Sequence, residues 1–282
     1  MAEGAALAAG VAGVVAVALQ RLGEAEAVFE ARGFIVAWGG VLALAFADWP
    51  PLLLAIKAML NAPADGDVWG REMIELAEEN HGSRWPKITI AALLPGQQLT
   101  LEDLRVLRTL CQQSAEEMAR EGLVWNVGEL RVAAFTSRSL EQRTDVLIPL
   151  KSPQGASCER AASAAPRGEG SVGRGTIASS RDLVEDVMQE WEQGDLESYL
   201  ARVNTGANVL HYMEACPLEH TLVALLTSQG GNGGGDTILR AVQRFAKAVR
   251  EHVPGKFHFF SDSCPSSLHL TLRTLRLRKH SG

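Results

Sequence analysis

The sequence predicts an α+β chain of two similar lobes, each a small antiparallel-rich sheet with helices on one face. Two observations carry this reading. A strand–helix–strand succession occurs twice, and each occurrence ends in a strand with threonine at its third position. These strands are Lys87-Ile88-Thr89-Ile90 and His269-Leu270-Thr271-Leu272. Composition permits the architecture: 282 residues, 46% hydrophobic and 21% charged, supply enough apolar mass for one large domain or two small ones.

Residues 1–33 form an Ala-rich N-terminal segment. Its apolar run, residues 5–19, falls short of the ~20 residues that span a bilayer. Glu3 precedes the run where a secretory signal would carry a basic residue. A buried or loosely packed helix is expected, with no membrane contact. The expected location is cytoplasmic, or an organelle if the segment is a targeting peptide.

The first lobe is read over 34–150. Residues 41–46 are a continuous apolar run, as in a buried strand, and Pro50-Pro51 open a helix over 52–60, proline being tolerated in a first turn. Residues 87–93 read as a second strand. Thr100 with Asp103 resembles a capping box, and starts a helix striped by Leu101, Leu104, Leu107, Cys111 and Met118. Further strands are expected at 130–135 and 146–150. Residues 151–180 are Gly, Ala, Ser and Arg with almost no large apolar side chain. Such a stretch buries too little surface to offset its ordering entropy and is expected to be a disordered linker or insertion.

A helix from 181 towards 200 leads into the second lobe, which completes 181–282. It comprises an apolar strand over 221–226, a glycine-rich loop over 230–235, a helix striped by Ile238, Val242, Phe245 and Val249, and the His269 strand. The loop is not a phosphate-binding loop. Gly235 is followed by Asp236-Thr237 instead of Lys-Ser/Thr, and an acidic residue at a helix start repels phosphate.

The net charge of −6 argues against whole-surface nucleic-acid binding, but the charge is unevenly spread. From Glu219 onward nine Lys/Arg oppose four Asp/Glu, so this part carries +5 and the remainder −11. Four scattered cysteines form no Cys-x-x-Cys pair, which suits free thiols in a reducing compartment. Cys216 and His220 have a metal-like spacing without further ligands, so no metal is expected.

Strand alternation sets His269, Thr271 and Arg273 on one face and Leu268, Leu270 and Leu272 on the other. Histidine titrates near neutrality, threonine donates a hydrogen bond and arginine binds phosphate oxygens. The other histidines have plainer readings: His252 and His258 as solvated groups, His211 and His220 as structural ones. The basic tail of Arg276, Arg278 and Lys279 would help to steer a polyanion.

Residues 220–275 resemble the first lobe of the 2H phosphoesterases, the group that contains 2′-5′ RNA ligase-like proteins and cyclic nucleotide phosphodiesterases. Residues 41–150 look like the pseudo-symmetric second lobe. The resemblance implies a cleft between two facing His-x-Thr/Ser-x strands and a cyclic phosphodiesterase-like hydrolase that needs no metal or other cofactor. Its partners would be RNA ends or nucleotide phosphates, including 2′,3′-cyclic phosphates. His269 and Thr271 match one motif and would be the catalytic pair, His269 as acid or base. Lys87, Thr89 and Arg273 would bind phosphate. Lys87 stands where the family has its second histidine, and losing an acid–base partner typically costs ~10²–10⁴-fold. His81 lies in the loop before Lys87. The lobes also run in reversed order, which a circular permutation, an incomplete gene product or a degenerate duplication would each explain. The alternatives are a non-catalytic RNA- or phosphate-binding protein that retains the fold, and a structural or interaction protein.

Overall fold

The computed structural model describes residues 2–22, 26–61, 76, 79, 83–150, 180–206, 209–226 and 234–275. The expected linker at 151–180 (apart from Ser180), the tail cations Arg276, Arg278 and Lys279, His81, and residues 230–233 of the glycine-rich loop lie outside the described residues. The chain is α+β, with nine strands and eight α-helices among the described residues.

All the strands pair antiparallel in one curled sheet. They are β1 Val28–Ala37, β2 Val41–Phe46, β3 Lys87–Leu93, β4 Val124–Asn126, β5 Glu129–Phe135, β6 Arg143–Pro149, β7 Glu219–Leu225, β8 Phe257–Phe259 and β9 His269–Thr274. Their order is β4-β1-β2-β3-β9-β7-β5-β6, with β8 also paired to β3. Strands β5 and β6, which the sequence groups with residues 34–150, therefore lie beyond β7. Strands β3 and β9, one from each half of the chain, pair at the middle of the sheet with Ile88 opposite Leu270, and β3–β8 and β5–β7 also join the halves.

Both of these strands carry a bulge at the same motif position. Between β2 and β3, Ala43 pairs Thr89 and Leu42 pairs Ala91, so Ile90 is the extra residue. Between β7 and β9, Val223 pairs Thr271 and Leu222 pairs Arg273, so Leu272 is the extra residue. Bulges kink a strand and re-aim its side chains, and they gather beside functional sites. Here each follows its threonine directly.

The helices are α1 Ala2–Leu22, α2 Pro51–Asn61, α3 Leu101–Glu121, α4 Ser180–Gln193, α5 Leu196–Val203, α6 Leu210–Met213, α7 Gly235–His252 and α8 Phe260–Ser263. The apolar face of the sheet and the long helices share one core, in which Ile88, Ile90, Leu268, Leu270 and Leu272 meet Leu53, Leu107 and Phe245. Phe34 of β1 stacks on Phe245 of α7 with ring centroids 4.0 Å apart. A smaller cluster of Ala133, Phe135, Leu140, Val223 and Leu225 lies apart from that core.

The expected capping box is present: Thr100 accepts from the Asp103 amide, and Asp103 accepts from that of Thr100. The helix expected from 181 towards 200 is two helices. Gly194 interrupts it, and the Asp195 carboxylate restarts the chain by accepting from the Ser198 amide. Strand β1 escaped the periodicity because Glu30, Arg32 and Gly33 interrupt its apolar run, with a register shift between Ala31 and Gly33. Helix α1 includes Gly4–Leu22, which is long and apolar enough to cross a membrane. In this structure its Leu7, Val11, Val14, Val15 and Ala18 are buried in the main core.

Two glycines give opposite expectations. Gly234 caps α7 at φ +70°, and a Cβ there would sit 2.0 Å from the Val124 carbonyl oxygen. Gly13 is exposed in mid-helix with nothing near a Cβ. In urea melts, Gly234→Ala should destabilise by more than the ~1–2 kcal/mol of left-handed strain alone. Gly13→Ala should stabilise by ~0.5–1 kcal/mol.

Candidate functional site

A cleft of about 530 Å³ opens on the sheet face that carries the polar residues of β3 and β9. Lys87, Thr89, His269, Thr271 and Arg273 all border it, so the two motif strands share one site. The cause is register. With Ile88 opposite Leu270 in an antiparallel pair, the flanking residues point together to the other face, which sets Thr89 across from His269 and Lys87 across from Thr271. Lys87 and His269 are then diagonal neighbours, roughly 7–8 Å apart along the backbone with their Cβ atoms somewhat closer. Leu268, Leu270 and Leu272 are fully buried on the core side.

His269 is half-buried, and its Nδ1 lies 2.6 Å from the Ser267 carbonyl oxygen. A carbonyl can only accept, so Nδ1 carries the proton and Nε2 of the neutral ring holds the lone pair. Burial lowers the imidazole to about 4, with the Ser267 hydrogen bond opposing and the Arg143 charge contributing to the lowering. The ring is therefore a neutral base at pH 7.

Lys87 lies over the Trp85 ring, with Nζ 4.2 Å from its centroid. Burial and then the charge of Lys57 lower its ammonium to about 8. Lys57 is itself buried beneath the site. It pairs with Glu79 and donates to the carbonyls of Ser83 at 2.9 Å and Leu272 at 2.6 Å. Burial lowers the Lys57 ammonium, against the Glu79 hydrogen bond and charge. Burial acts to raise Glu79, but the hydrogen bond and charge of Lys57, with hydrogen bonds from Asn61 and Ser83, together outweigh it and leave the carboxyl below its ordinary value. This pair ties α2 to the bulge residue of β9.

Arg273 departs from the strict alternation because the bulge at Leu272 precedes it. It is 2% exposed, and its Nε donates to Asn61 Oδ1 at 2.7 Å. It still borders the cleft, and burial lowers its guanidinium.

The cleft recruits residues the sequence did not single out. Arg138, from the loop after β5, and Tyr212, from α6, border it together with Trp85 and Phe260. His211, read from the sequence as a structural histidine, borders it too, and its Nε2 lies 2.6 Å from Arg138 Nη1. Burial raises the Tyr212 phenol, opposed by a hydrogen bond from Thr89. These residues sit on loops or on helices of four residues, too short to show a period, so periodicity offers no signal for them. His258 is likewise half-buried instead of solvated, its Nε2 buried without a partner among the described residues. No group of three or more His, Cys, Asp or Glu able to hold a metal ion occurs among the described residues.

Among the described residues the cleft offers three cations (Lys87, Arg138 and Arg273), several hydroxyls and aromatic rings against one carboxylate, Glu219. Such a lining suits an organic anion. No family model matches the chain, and no curated protein or solved structure is significantly similar to it.

Burial of His269 links the site to stability. Its folded-state value of about 4 lies below the ~6.5 of an unfolded chain. The unfolded state therefore takes up the proton first as pH falls, and this stability is present above ~6.5 and lost towards 4. Urea midpoints at pH 7 and pH 5 should fall less for His269→Gln than for wild type.

Proposed function

We propose that the protein is a metal-independent phosphoesterase of the 2H type, acting on RNA ends or 2′,3′-cyclic phosphates. The observation that carries this reading is the pairing of β3 with β9, which lines one cleft with Lys87, Thr89, His269 and Thr271. The two-lobe architecture belongs to the same proposal. Two units, β2-α2-β3 and β7-α7-β9, meet at the centre of the sheet, and each has its bulge directly after the motif threonine.

The chemistry follows from the tautomer and the burial. His269 Nε2 takes a proton from water as the water oxygen attacks phosphorus. The phosphorus–oxygen bond to one ribose oxygen breaks, and Lys87 donates a proton to that leaving oxygen. Thr271 and Thr89 hold the non-bridging oxygens through their hydroxyls, and the Arg273 charge reinforces the positive field from below. Lysine can replace the expected second histidine as acid because desolvation brings it to about 8, near the operating pH where proton transfer works best. It also neutralises charge that develops on the phosphate.

The same substitution favours a second reading, a phosphate-binding protein that has lost turnover. One set of assays separates them. For the enzyme, wild type should hydrolyse a 2′,3′-cyclic nucleotide, and His269→Ala should lose ~10²–10⁴ in kcat/KM. The rate should be level at neutral pH, fall as Lys87 loses its proton above about 8, and fall again as His269 is protonated near 4. Binding of the nucleotide without turnover would favour the binder. Absence of both would contradict any phosphate site.

A further inference from the structure

We propose that Arg138 and His211 form a second anion subsite at the rim of the cleft, so that its ligand is a nucleotide or nucleic-acid end bearing two phosphate groups. This rests on reading the β3–β9 floor as the first phosphate site.

The first support is an uncompensated charge. Arg131, Arg143, Arg202, Arg244 and Arg250 each hold an Asp or Glu. Arg138 has no carboxylate within ion-pair distance among the described residues, and its Nη1 meets His211 Nε2 at 2.6 Å. A guanidinium has five N–H donors and no acceptor, so this contact requires a neutral imidazole that accepts. Burial and then the Arg138 charge push His211 in that direction, against Glu214. A full positive charge thus borders the cleft with donors beyond the one used on His211. Guanidinium forks suit phosphate oxygens.

The second support is that the pair is held by the backbone of both its segments. The Ser139 amide donates to the Tyr212 carbonyl at 2.9 Å, and the Cys216 amide to the Thr136 carbonyl at 2.7 Å. These bonds lock the loop carrying Arg138 to the segment carrying His211, so the pair is a fixed part of the cleft wall.

The third support is position. Arg138 comes from the loop after β5 and His211 from α6, whose Tyr212 ring meets that of His211 edge-on with centroids 5.2 Å apart, whereas Lys87, Thr89, His269 and Thr271 come from β3 and β9. The pair therefore lines a different wall of the cleft from the floor. A ligand using both places needs two phosphates joined by a spacer such as a ribose, and the 530 Å³ cleft is within the size range of small-molecule sites.

The test compares adenosine 2′-monophosphate with adenosine 2′,5′-bisphosphate by calorimetry on the full chain. Wild type should bind the bisphosphate roughly tenfold more tightly or better, the usual effect of one added charge-assisted contact. Arg138→Ala should bring the ratio of the two affinities to about one. Arg138→Lys, which keeps charge without the fork, should retain part of it. Equal affinities in wild type, or a preference that survives Arg138→Ala, would overturn the subsite. The floor is read separately by turnover of the 2′,3′-cyclic nucleotide. If turnover is absent while the Arg138-dependent preference remains, the phosphoesterase reading fails and the subsite stands.

Discussion

The constraint on which the rest of the site depends is the register of β3 against β9. One pairing, Ile88 opposite Leu270, joins the two motif strands at the middle of the sheet. Because side chains alternate with a period of two, a slip of one residue would turn every polar group of one strand into the core and every apolar one out. The buried Ile88, Leu268, Leu270 and Leu272 make that slip costly. Hydrophobic packing on one face therefore holds Lys87, Thr89, His269 and Thr271 together on the other.

That arrangement would carry little chemistry without desolvation. The cleft removes water from His269 and Lys87, which lowers both and brings an ordinary lysine close to neutrality. The Lys57–Glu79 pair contributes from behind: its cation adds to the lowering of Lys87, and its hydrogen bonds anchor the bulge residue of β9 and the Ser83 segment. Breaking such a pair from one side leaves a buried charge uncompensated. The polar layer beneath the floor is thus part of what sets its electrostatics.

Much of the floor was legible in the sequence. Thr89 and Thr271 stood at matching positions in two apolar strands, and alternation alone separated their faces. The failures have physical causes. Arg273 was extrapolated along a perfect alternation, but the bulge at Leu272 broke it and Asn61 took the guanidinium. A bulge leaves no mark in a run of leucine and threonine. Arg138, His211 and Tyr212 come from a loop and a four-residue helix, placed by backbone bonds between segments far apart in sequence. The glycines before α7 are partly explained: at Gly234 a side chain would strike the Val124 carbonyl, which is a packing requirement and not a phosphate cradle.

The central claim is that the β3–β9 pairing makes a single anion site with His269 in it. Nitrogen NMR of the His269 imidazole during titration with adenosine 2′-monophosphate tests this most directly. The account predicts an Nδ1-protonated ring in the free protein whose Nε2 resonance moves on binding, with its titration shifted upward from about 4 by the adjacent anion. The exposed His252 should not respond. An unmoved His269 at saturating ligand would contradict the account.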